Sequence, residues 1–367
     1  MTQQQFADRI GKSKSWVDKV ERGVRRLERV SNLREVAQAL RIDLEVLVAD
    51  RPDRSTPAAA GLEAIRTALA RYHVETSVRP SDAARLRARL DHAEQAYRHA
   101  RYPDLLALLP DLIDAARAGQ VARPGRMMDG VAVSVYGLVA LVLVKVDQGE
   151  LGWLAADRAM AVALATDDPQ VSAAATVPLC QALRACGRRR SAMEAAVVAA
   201  HQSMAAGEQT PVGAAVCATL LTQAALAAAS LGNASSTGEL LDQAEQLASG
   251  LDREGARRVT ILTARVVADT ALGNAPAAIR RHVRLTATDG WRWLPTEHRA
   301  AYLLDAARAY ALTGDMRAAG RTILDAERTA RSEVHDRPSV RDLIAVVARS
   351  PTAPADLTRL AATLHVT

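Results

Sequence analysis

The sequence predicts an all-α chain, with a short N-terminal bundle followed by a long array of antiparallel helix pairs. Three observations carry that expectation. Segments rich in Ala, Leu, Arg and Glu, with apolar residues three and four apart, fill most of the 367 residues, which is the spacing of one helix face. Strand-type alternation is almost missing: Val131–Val146 has valines enough to tolerate a strand, but no partner strand is evident. Glycines recur at 149, 187, 232, 273 and 314, at intervals of 38, 45, 41 and 41, the mark of stacked helical hairpins.

The N-terminal elements follow from their end signals. Thr2 is placed to cap a first helix, and Gln5, three residues on, completes a capping box ahead of the apolar Phe6 and Ile10. Gly11 ends that helix, because glycine takes a left-handed conformation cheaply. Ser13 caps a second helix through Trp16, Val17 and Val20 to Gly23, and the small Ala7 lets the two helices approach closely. Two short helices joined by a tight turn form the unit that lays a helix in the DNA major groove. Charge agrees: Arg9 to Arg29 holds eight Lys and Arg against three acids, a local +5 in a chain of formal net charge +6. Such a cluster supplies the salt-dependent, sequence-independent part of DNA affinity. Trp16 has two readings, packing under a neighbouring helix or contacting the DNA backbone.

This segment resembles the phage-repressor-like (Xre) helix-turn-helix family, with Gln3, Ala7, Gly11, Val17 and Val20 at the family's relative positions 1, 5, 9, 15 and 18. Val30–Val48, VSNLREVAQALRIDLEVLV, is similar to the family's last two helices. The resemblance implies a DNA-facing set. Lys14, Ser15 and Lys19 face base edges from the start of the second helix, which Ser13 caps, and Gln3, Lys12, Arg22, Arg25, Arg26 and Arg29 meet phosphates. Family members carry a further helix before the Thr-Gln step, whereas Met1 directly precedes Thr2 here. Either translation starts upstream, as the Arg- and Ala-rich composition of a GC-rich bacterial gene favours, or the reader lacks one helix.

The reader therefore spans residues 1–49. Residues 50–57, DRPDRSTP, form a linker in which two prolines break helical periodicity. The helical array occupies 58–367, beginning with a hairpin that turns near Arg101-Tyr102-Pro103. Five residues after the recurring glycines stand Leu154, Ala192, Thr237, Ala278 and Ala319, and twelve after them Ala161, Ala199, Ala244, Leu285 and Ala326. Small residues at both offsets let paired helices pack closely. Tyr302–Ala330 resembles a tetratricopeptide repeat, with Ala307 and Tyr310 before the glycine and Ala319 and Ala326 after it. That likeness implies a curved solenoid with a concave groove for a peptide, a small molecule or a partner protein. Candidate groove residues are Trp291 and Trp293, Arg184 and the run Arg188–Arg190, each with a plainer alternative: the tryptophans plug gaps between repeats, and the arginines form a solvated turn. Pro178 either kinks a helix or marks a boundary.

Several classes are disfavoured. With 49% hydrophobic and 24% charged residues, the chain is globular. The longest apolar stretch, Val131–Val144, is too short to span a bilayer, and no leader-type segment opens the chain, so no membrane association is expected. Cys180, Cys186 and Cys217 form no CxxC pair and read as small thiols in a reducing cytoplasm, with a Cys180–Cys186 redox pair as the alternative. No phosphate loop, metalloprotease, nucleophile-elbow or dinucleotide motif is present, so neither enzyme activity, metal nor cofactor is expected. The expectation is a cytoplasmic, homodimeric regulator that binds double-stranded DNA and senses a ligand through its array, in a domain order that resembles bacterial peptide-pheromone receptors. The alternative is a protein-interaction solenoid whose vestigial helix-turn-helix does not bind DNA on its own.

Overall fold

The structure is a computed structural model that describes residues 3–21, 35–37, 39, 57–71, 82–206, 210–249 and 256–366. Among the described residues every regular element is a helix. The chain divides into two compact units, Met1–Thr56 and Pro57–Thr367.

In the first unit, α1 (Gln3–Arg9) and α2 (Lys14–Glu21) close on an apolar centre of Ala7, Ile10 and Val17, to which Val36 and Ala39 add from a third helical stretch. The expected cap at Thr2 and the linker 50–56 lie outside the described residues.

The second unit opens with α3 (Pro57–Ala70), which lies so close to α5 (Tyr102–Ala122) that a Cβ at Gly61 would sit 2.9 Å from the Leu106 carbonyl oxygen. Six helix pairs follow. They are α4 (Ala83–Arg98) with α5, α6 (Arg126–Lys145) with α7 (Gly149–Ala165), and α8 (Pro169–Ala185) with α9 (Arg189–Ala205). Next come α10 (Pro211–Ser230) with α11 (Ala234–Ser249), α12 (Ala256–Ala271) with α13 (Ala275–Thr286), and α14 (Thr296–Leu312) with α15 (Met316–Thr329). Short helices α16 (Arg331–His335), α17 (Arg341–Ala348) and α18 (Ala355–Thr363) finish the chain.

One backbone device makes all six turns. Ala100, Asp147, Gly187, Gly232, Gly273 and Gly314 have φ between +53° and +82°, and the second helix starts two residues later each time. The amide after the left-handed residue then bonds back five residues, as Arg188 N–H does to the Leu183 carbonyl and Asn233 N–H to that of Ala228, so the first helix's last carbonyls are satisfied. This corrects the sequence register in one place. The second turn pivots on Asp147, not Gly149, which is the first residue of α7. The small residues five and twelve places on are therefore the buried Gly152 and Ala159 rather than Leu154, which is half-buried, and Ala161, which is exposed.

Val131–Val146 is no strand. It runs through α6, whose apolar positions are buried around most of the circumference because α4, α5, α7 and α8 all pack on it. Helices α6 and α10 are long and apolar enough to cross a membrane, yet 67% of each such stretch is buried inside the array. Pro178 is neither a boundary nor at an end: it lies within α8, its ring 3.3 Å from where a Cβ on Gly137 would stand.

The first helices of the six pairs touch in order, α4 to α6 to α8 to α10 to α12 to α14, and α14 returns to touch α4. The inner layer is thus a closed ring, with the second helices packed around it.

Candidate nucleic-acid interface

Gly11 has φ +62° and nothing within 4 Å of a would-be Cβ. Its neighbour's amide, Lys12 N–H, bonds back to the Ala7 carbonyl at 3.0 Å, closing α1. Ser13 then starts α2: its Oγ accepts the Trp16 amide at 3.1 Å, taking up one donor that the first turn leaves unpaired. Ala7, at 0% exposure, is where the helices meet, and Val17, at 2%, is the anchor of α2 beneath them.

Opposite that underside, Lys14, Ser15 and Lys19 are exposed. Ser15 and Lys19 are four residues apart and share one face, while Lys14 stands beside them in the first turn. The start of α2 is also the positive end of its dipole, which suits phosphate. Lys12 is half-buried, with Nζ 3.8 Å from Glu35 Oε2; so weak a pair leaves the ammonium able to meet phosphate. Gln3, the first residue of α1, is half-buried. Trp16 is partly buried and packs on the apolar centre. Arg22, Arg25, Arg26 and Arg29 lie outside the described residues.

The groove candidates fall in separate places. Arg184, half-buried on α8, donates to Gln223 Oε1 at 2.8 Å. Trp291, in the turn Asp289–Trp293, meets the Tyr302 ring edge-on at 5.3 Å, while Trp293 is 59% exposed. A cavity of about 380 Å³ takes in Trp291, with His282, Leu303 and Asp325, but neither Arg184 nor Trp293. The exposed Arg188–Arg190 run is not a turn but the start of α9: Arg188 precedes the helix, with its guanidinium over the Trp153 ring at 3.9 Å, and Arg189 and Arg190 open it.

Cys180 and Cys217 are buried and all three cysteines are free thiols. Burial pushes the Cys180 thiol up to about 12, which removes thiolate character at neutral pH. Among the described residues, no three His, Cys, Asp or Glu side chains gather as a metal site. Sequence reasoning missed one polar cluster, formed by Tyr102, Lys145, Glu297 and the Glu333/Arg337 pair, four sites far apart in the chain.

Residues 1–47 match the helix-turn-helix family model. They are an Xre-like helix-turn-helix domain, a DNA-binding module, at the head of an all-helical chain. Among curated proteins, no sequence matches the chain.

Proposed function

We propose that the protein is a sequence-specific transcriptional regulator, non-enzymatic and cytoplasmic, that binds double-stranded DNA as a homodimer. The observation that carries this reading is α2 itself: a capped helix with Val17 locked beneath it and Lys14, Ser15 and Lys19 presented outward. Lys14 and Lys19 donate to guanine acceptors in the major groove, and the basic residues from Lys12 to Arg29 supply phosphate contacts. Two readers related by a two-fold axis address half-sites about one helical turn apart, roughly 34–36 Å. The tetratricopeptide-like array holds the dimer and senses a peptide, small molecule or partner protein, altering the spacing of the two readers.

Selection of sheared genomic DNA by the purified chain at moderate salt, followed by sequencing of the retained fragments, tests this reading. Enrichment of a two-fold symmetric site supports it. A folded, helical protein that retains no specific site refutes it and favours a protein-interaction module whose reader does not engage DNA.

A further inference from the structure

Repeat arrays hold together through neighbours, yet this one is also joined end to end. Lys145, the last residue of α6, points its ammonium at carboxylates from the far end of the chain: Glu297 at the start of α14, and Glu333 in α16 at 2.9 Å. Glu333 is fully buried, at 0% exposure, and its second oxygen accepts from Arg337 while the Tyr102 hydroxyl donates to the first. These partners stand 188 and 231 residues apart in sequence. At the rim of the same seam, Thr296 Oγ donates to the Arg98 carbonyl at 3.0 Å and the Ser339 amide donates to the Asp147 carboxylate.

The seam holds the most deeply buried ion pairs of the described array, centred on Glu333, whereas the pairs that Arg258 and Arg265 of α12 make with Asp242 and Glu245 of α11 are more open. Neighbouring pairs meet through leucine, valine and alanine, as Leu220, Leu221 and Ala224 of α10 do against Ala196 and Ala200 of α9. Such contacts, once parted, expose apolar surface to water. Across the seam, the last pair adds only Ala300 and Ala330 to the apolar cluster of the first pairs. The rest is polar: two cations against two carboxylates, the Tyr102 hydroxyl, and the hydrogen bonds of Thr296 and Ser339. A buried ion pair gains little net stability, because parting it returns both charges to hydration, but it is strict about geometry and fails when one member is lost. The ring is therefore shut by contacts that specify closure without making it irreversible. Polar pairs also join neighbouring first helices within the ring: Arg184 of α8 bonds Gln223 of α10, and Thr263 of α12 bonds His298 of α14 at 3.0 Å.

We propose that Lys145, Glu297, Glu333 and Arg337 form a latch that holds the ring shut, and that its release parts α4–α6 from α14–α16. The latch does not rest on the sensor reading above, and its test uses neither DNA nor ligand.

Spin labels on the full chain at the exposed positions Asp104→Cys and Arg331→Cys, in a Cys186→Ser background, report the seam as a distance distribution. Lys145→Met leaves buried Glu333 to Arg337 alone and takes from Glu297 the cation it pairs with. The expected result is an unchanged helical signal with a longer and broader distribution, displaced by about one helix diameter, ~10 Å. A folded Lys145→Met chain with the unlatched distance absent overturns the proposal. Should Lys145→Met fail to fold, the unsubstituted latch decides under mild urea: the label distance is expected to lengthen before helical signal is lost, and coincident transitions overturn the proposal.

Discussion

Two glycines in one hairpin carry opposite expectations for the same substitution. Gly232 makes the turn between α10 and α11 at φ +79°, and Gly238 lies four residues inside α11; neither has an atom within 4 Å of a would-be Cβ. Alanine therefore changes only the backbone term at each. At Gly232 a left-handed alanine costs about 1–2 kcal/mol, of which about 0.4–1 kcal/mol is returned by the less flexible unfolded chain. The net loss is about 0.5–1.5 kcal/mol. At Gly238 the backbone is already helical, and Gly238→Ala gains about 0.5–1 kcal/mol. Equilibrium urea unfolding, with amide exchange in α10 and α11 as the local readout, separates the two variants by roughly 1–2.5 kcal/mol in opposite directions from the parent. A shift of the same sign for both refutes the reasoning, since nothing but φ distinguishes the sites.

The DNA interface and the buried histidines give further tests. Replacing Lys14 and Lys19 together by Ala lowers discrimination between cognate and random DNA, whereas replacing Arg25 and Arg26 weakens both alike and flattens the salt dependence, as competition binding at two salt concentrations will read. Ser13→Ala removes the α2 cap and costs about 1 kcal/mol of reader stability, while Ser13→Asp restores it; equal DNA affinity in all three proteins removes the cap from the account. Stability also falls on mild acidification. Burial holds His298 below its ordinary 6.5, so the unfolded chain takes up that proton first, and the contribution is present above about pH 6.5 and lost as pH drops below it. Glu333, held below its ordinary 4.5 by Lys145 and Arg337 against its burial, keeps its contribution until pH falls under the carboxylate range. His298→Gln, which can still bond Thr263, is expected to flatten the urea midpoint between pH 7 and 5.5, with the residual slope from His282, also held low by burial; an unaltered slope assigns the effect elsewhere.

The reader and the array differ in how far their sequences disclose them. Gly11, Ser13 and the spacing of Ala7 and Val17 act within one or two turns, so local rules locate them. Gly187, Gly232, Gly273 and Gly314 were legible for the same reason, since the residue type states the backbone requirement. At the second turn aspartate occupies the left-handed position, a conformation it adopts at modest cost, and a nearby glycine inside the next helix drew the register two residues off. The valines of α6 gave an ambiguous signal because a helix packed on nearly all sides loses its amphipathic period. The seam left no trace at all: Lys145, Glu297 and Glu333 on three different helices, with Arg337 just beyond α16, are ordinary surface residues until the array curves far enough to bring them together.

That closure bears on how long the folded protein lasts. In an open array each repeat touches only its neighbours; here the first and last pairs also touch each other, so opening the array between them begins at their seam. Contacts spanning 188 and 231 residues form late in folding, after the local hairpins, because loop closure is costly. Interactions absent from the transition state act on the rate of unfolding rather than of folding. The half-life of the array against proteases then depends on the side chains at that one seam as well as on the apolar contacts between its pairs.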